Sequence, residues 1–217
     1  MNRQYSKRIL FVLGIITSTW SSLHHSATAM EFTIHGNHSK TLNAIAAKGE
    51  IKLNDLNKLH SFLSQLSPKK HTAIYFTSSG GNLFEGMRLG IYFKQNRIKT
   101  VIQADEMCAS ACALAFLGGT DYKNQRWMST TTTSLLGFHA FRSSKGNNLQ
   151  STDQTQKIVA AILEYGNFVK APIEIFVKSF QTSSDQMYWF SKSEALRLGI
   201  KVWDIQKKCF TGNKNCK

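Results

Sequence analysis

The chain has 217 residues, 42% of them hydrophobic and only two of them proline, which suits one domain with a real core and excludes a disordered polymer. Formal charge is +14, but no block of five or six like charges occurs, so the basic residues read as scattered solvating groups and not as a nucleic-acid-binding tail.

The first 29 residues read as a leader. Arg3, Lys7 and Arg8 form a positive start, residues 9–20 an apolar stretch, and Ala27-Thr28-Ala29 a small-residue cleavage site before Met30. Twelve apolar residues are short for a spanning helix, which needs roughly 20. The expectation is a secretory signal peptide cut after Ala29 and a mature domain, residues 30–217, that is periplasmic or secreted. That domain keeps 24 Lys and Arg against 13 acids. Outside the cytoplasm such a field would meet anionic lipid headgroups or acidic envelope polymers, with no nucleic acid as partner.

Along the mature chain, residues 31–34 and 50–53 read as strands, and Leu56, Leu59, Phe62, Leu63 and Leu66 form a helical apolar stripe after Asn54-Asp55. A strand over 72–76 precedes Ser78-Ser79-Gly80-Gly81 and a helix running from Leu83 through Phe93. Residues 97–102 form another strand; a strand and a turn at Cys108 then lead to a helix over 110–117, and 135–140 is a strand ending near His139. The polar residues 143–156 predict a loop or the exposed start of a helix through Ile158, Ile162 and Tyr165. A short helix covers 172–180 with proline in its first turn. Ser191-Lys192-Ser193-Glu194 is a capping box, and Gly199 stops the helix it opens before a strand over 200–205. Alternation of this kind implies an α/β fold with right-handed crossovers.

Four cysteines, Cys108, Cys112, Cys209 and Cys216, remain after the leader, and an even count in an oxidising compartment predicts two disulfides. Three pairings are open, and local pairing is the simplest. Cys209–Cys216 would close the tail at 206–217, and Cys108–Cys112 would clamp the turn that carries Ser110, provided Cys108 sits before the helix.

Met107-Cys108-Ala109-Ser110-Ala111-Cys112 places one hydroxyl at the start of a small-residue helix, with a glycine pair upstream and His139 downstream. By itself Ser110 would pass for a packing residue and His139 for a core histidine; their joint order with Gly80-Gly81 is what points to nucleophilic catalysis. Cys108, Cys112 and His139 lack a fourth ligand for zinc. No phosphate-binding glycine motif is complete, so no metal, nucleotide or other cofactor is expected.

Ile74-Tyr75-Phe76-Thr77-Ser78-Ser79-Gly80-Gly81-Asn82, Glu85-Gly86, the Cys108-to-Cys112 segment, Gly137-Phe138-His139 and the Trp189-to-Gly199 segment together resemble the Clp protease proteolytic subunit, and its exported bacterial relatives with a C-x-S-A-C signature more closely still. The resemblance implies a single-domain α/β spiral of β-β-α units, the ClpP/crotonase-like fold. It implies a serine peptidase site in which Ser110 is the nucleophile and His139 the base, with oxyanion donors in the Gly80-Gly81 turn and at Ala111. The family's aspartate falls without gaps on Ser183, and Asp185 is the nearby carboxylate that a loop shift would bring to His139. Asp204, Asp153 or a backbone carbonyl orienting the imidazole are the alternatives. Where the family commonly has proline, Ser79 stands.

The resulting expectation is an exported serine hydrolase acting on peptides or proteins, as a homo-oligomer and without an ATP-dependent unfoldase, since ATP is cytoplasmic. The competing reading is a catalytically inactive Clp-like binding or assembly module of the envelope. Acyl-CoA chemistry on the related fold is disfavoured by the same address.

Overall fold

The β-branched and aromatic run His71–Thr77 forms a largely buried strand with a parallel neighbour on each side in the computed structural model, which describes residues 28–36, 39–141, 152–214 and 216. The predicted leader lies outside the described residues apart from Thr28 and Ala29, and the polar segment lies outside them from 142 to 151.

In chain order the elements are β1 (Glu31–Ile34), β2 (Leu42–Lys48), α1 (Asp55–Leu63), β3 (His71–Thr77), α2 (Leu83–Gln95), β4 (Lys99–Ile102), β5 (Met107–Ala109), α3 (Ala111–Leu117), β6 (Met128–Thr131), β7 (Leu135–Phe138), α4 (Thr152–Val169), α5 (Ile173–Gln181), β8 (Tyr188–Trp189), α6 (Lys192–Arg197), β9 (Lys201–Asp204) and β10 (Cys209–Phe210). Seven strands form one sheet in the order β1-β2-β3-β4-β6-β9-β10, parallel from β2 through β9 and antiparallel at both edges. The remaining three form a second sheet, β5-β7-β8. Parallel strands need crossovers, and the helices supply them while covering the sheet with Leu89, Phe93, Phe116 and Phe176, all buried.

Two helices approach unusually closely. A Cβ on Gly86 of α2 would lie 2.4 Å from the Ala111 carbonyl oxygen, and one on Gly118, at the end of α3, 2.0 Å from the Gly90 carbonyl oxygen. Only residues without side chains permit that spacing, and it seats α3 against α2. Tyr165 of α4 closes the same junction, its hydroxyl donating to the Leu114 carbonyl at 2.5 Å. Burial pushes that phenol's pKa upward, so it remains a neutral donor.

Several elements differ from the sequence expectations. Residues 50–53 are not a strand; Glu50 and Ile51 make single bridges, and the strand between β1 and β3 is β2, whose Leu-Asn-Ala-Ile-Ala-Ala-Lys run lacks the alternation of a half-buried strand. Of the two readings of the polar segment, the exposed helix start is the one that forms over 152–156, since α4 begins at Thr152 with its first residues exposed. Pro172 is the N-cap of α5 and stands just outside its first turn. The capping box on α6 forms as predicted, with the Ser191 hydroxyl and Glu194 satisfying each other's backbone N–H groups.

Candidate active site

Ser110 sits at the elbow between β5 and α3 with φ 56° and ψ −123°. These are the angles of the first central residue of a type II′ turn, where glycine is the usual occupant, and a side chain there costs about 1–3 kcal/mol. The surroundings hold it in place. The Ser110 N–H donates to the Gly137 carbonyl at 3.0 Å, and its own carbonyl accepts the first bond of α3 from Leu114 at 3.2 Å. A disulfide between Cys108 and Cys112, with 5.3 Å between their Cα atoms, brackets the elbow. Cys108 belongs to β5, before the helix, which makes the four-residue separation bridgeable. A second disulfide joins Cys209 and Cys216.

The neighbour of β5 is β7, paired in parallel with Ala109 opposite Gly137. Both strands end at the same edge of the small sheet, about 4.8 Å apart as adjacent strands are, so the next residues to leave them are Ser110 and, two beyond Gly137, His139. The His139 Nδ1 lies 2.6 Å from the Ala140 carbonyl oxygen. A carbonyl can only accept, so Nδ1 carries the proton in this contact and Nε2 of the neutral ring keeps a lone pair. The Ser179 hydroxyl donates to the His139 carbonyl at 2.8 Å and the Ala140 N–H to the Thr182 carbonyl at 2.9 Å, fixing the segment against α5.

The glycine turn faces the elbow. Gly80 has φ 112° and Gly81 φ 133°, both in the region that favours glycine. The Gly80 N–H is occupied, donating to the Ser78 hydroxyl at 3.1 Å. The Gly81 N–H, and that of Ala111 at the first position of α3, donate to nothing among the described residues. Of the three positions named from sequence as oxyanion donors, Gly81 and Ala111 have an available N–H; Gly80 instead provides the absence of a side chain.

Ser110, His139, Gly81 and Ala111 all line one cavity of about 640 Å³. Its walls are largely apolar, with Leu83 and Phe84 after the glycine turn, Leu114 on α3, and Ile158 and Ile162 on α4. These wall residues were not singled out from sequence; the apolar pair directly after Gly80-Gly81-Asn82 was the available signal. The Ala140 carbonyl has no sequence signal at all, because every residue carries one.

Asp185 is exposed, accepts a hydrogen bond from the Ser183 hydroxyl, and is not among the residues lining the cavity. Asp204 accepts from the Gln206 and Lys207 N–H groups in the turn after β9, and Asp153 is exposed in the first turn of α4. With Cys108 and Cys112 bonded to each other, neither offers a thiolate, and among the described residues no group of three or more His, Cys, Asp and Glu is placed to hold a metal ion.

The Clp protease family model matches residues 39–205. Among solved structures, a ClpP1 point mutant from Listeria monocytogenes superposes with a TM-score of 0.50 at 15% identity, covering 80% of this chain and 94% of that one. The ClpP protease catalytic domain from Plasmodium falciparum gives a TM-score of 0.48 at 19% identity, with 74% and 79% covered. No curated protein matches significantly.

Proposed function

This chain belongs to the Clp protease family and has its ClpP/crotonase-like α/β fold, and from that premise we propose that it is an exported serine peptidase working through Ser110 and His139. The observation that carries the reading is the convergence of that hydroxyl, that imidazole and two unspent N–H groups on one cavity.

The Ser110 hydroxyl oxygen attacks the scissile carbonyl carbon while His139 Nε2 takes its proton. The carbonyl oxygen becomes an oxyanion facing the N–H groups of Gly81 and Ala111, where the N-terminal end of α3 adds a positive dipole. The imidazolium then gives its proton to the leaving amine. Water, deprotonated by the same ring, releases the acyl group and restores the serine. The Ala140 carbonyl holds the Nδ1 proton, the orienting task for which a carboxylate was expected from sequence.

Export is supported by the leader-like residues 1–29 and by two disulfides suited to an oxidising compartment. Peptides or proteins are the proposed substrates. Self-association is supported by the exposed apolar Ile173 and Val177, one turn apart on α5.

A fluorophosphonate probe tests the site directly. Labelling of the wild-type protein that is lost in both Ser110→Ala and His139→Ala is the expected result. Labelling that survives in Ser110→Ala refutes the assignment, and a folded wild type that never labels favours the inactive binding module.

A further inference from the structure

Helix α4 presents to the cavity a face whose character changes along its length. Gln154 and Lys157 are three residues apart and Ile158 and Ile162 follow at helical spacing, so all four line the cavity from one side of the helix. The isoleucines extend the apolar wall; the amide and the ammonium stand at its polar end.

The other polar side chains lining the cavity have work already. The Asn82 side chain caps α2 by accepting from the Glu85 N–H at 2.9 Å. Ser179 donates to the His139 carbonyl, and Ser110 and His139 belong to the chemistry. Gln154 and Lys157 have no hydrogen-bond or ion-pair partner among the described residues, although Asp153 lies one turn before Lys157. Among the described residues no carboxylate lines the cavity.

We propose that Lys157, assisted by the Gln154 amide, is a specificity-determining subsite that selects substrates presenting a carboxylate close to an apolar side chain. The inference rests on the peptidase reading for its substrate class. An apolar wall beside an ammonium without a counter-charge recognises a ligand with both features, because the side chain fills the wall and the carboxylate pairs the cation. The carboxylate can come from an acidic side chain or from a free peptide C-terminus.

The test separates those sources and separates binding from cleavage. Fluorescent peptides carrying one leucine are made with Glu, Gln or Lys at successive flanking positions, each as C-terminal amide and as free acid. Binding is measured by anisotropy to Ser110→Ala and to the same protein with Lys157→Gln or Lys157→Glu, and kcat/KM is measured for the forms that retain Ser110. The expected result is tighter binding and higher kcat/KM for the carboxylate-bearing peptides by about two- to fivefold, the range of an exposed pair. That preference should shrink as salt rises, vanish in Lys157→Gln, and turn toward the Lys peptides in Lys157→Glu. A preference confined to free acids marks C-terminal recognition, and one that follows internal Glu marks side-chain recognition; both support the subsite. Charge-dependent binding without cleavage of any peptide leaves the subsite standing and removes the peptidase reading. Cleavage with no charge preference, a preference that persists in Lys157→Gln, or failure to bind any peptide overturns the subsite.

Discussion

A Cβ atom on Gly80 would stand 2.7 Å from the Cβ of Ser110, with the Ala109 carbonyl oxygen at 2.8 Å. The glycine turn and the Ser110 elbow are therefore in direct contact, and at Gly80 it is the absence of a side chain that permits it. Gly80→Ala should shift the elbow, lower turnover by about 10²-fold or more, the scale of losing one oxyanion donor, and reduce Tm. Active-site labelling and thermal melting measure both effects; an alanine variant with normal turnover would show that the elbow tolerates displacement.

The two disulfides should separate stability from activity. On loop-closure arguments each short bridge contributes about 2–2.5 kcal/mol, so replacing either pair with serines should lower denaturant midpoints comparably. Only the Cys108/Cys112 pair brackets Ser110. Its removal should therefore also depress kcat in protein that is still folded, whereas loss of Cys209–Cys216 should leave kcat near wild type. Equal effects on kcat would argue against a positioning role for the first bridge.

Asp185 offers a contrast with serine proteases that depend on a buried carboxylate, where an amide in its place drops kcat by about 10⁴. Here the Ala140 carbonyl occupies the Nδ1 side of His139 and Asp185 is exposed. Asp185→Asn is expected to reduce kcat by less than tenfold, well short of the roughly 10⁴-fold loss that a triad role would produce. Steady-state kinetics on that single variant distinguishes the two arrangements.

The α6 capping box predicts acid sensitivity. Hydrogen bonds from the Tyr188 hydroxyl, then from the Ser191 hydroxyl and N–H, lower the Glu194 pKa from the ordinary 4.5 to about 2. The folded carboxyl thus ionises more readily than the unfolded one. Its contribution is present above pH 4.5 and is lost as pH falls toward 2, the window in which the unfolded chain binds more protons. Urea melts across that window should show a steeper acid loss in wild type than in Glu194→Gln.

Residues close together in the chain were the legible part of this protein. The Ser191–Glu194 box, the helix after Asn82, the elbow around Ser110 and the cysteine pairs within seven residues of each other all depend on short-range geometry. Strands β2 and β8 were not legible: one lacks alternation, the other is two residues long, and both exist through partners distant in sequence.

The sequence by itself determined which groups were available, a serine at a strand-to-helix turn, a histidine after an apolar strand and a glycine pair, because residue types and local propensities are written residue by residue. Only the tertiary structure decided what those groups do for one another. The parallel register of β5 on β7 puts Ser110 beside the His139 segment, the Ser78 hydroxyl takes the Gly80 N–H and leaves that of Gly81, the Ala140 carbonyl lies on the Nδ1 side of His139, and α4 brings Lys157 to the cavity. Each of those outcomes is a competition between partners for one donor, acceptor or space, and such competitions are settled by distances that exist only after the chain has folded.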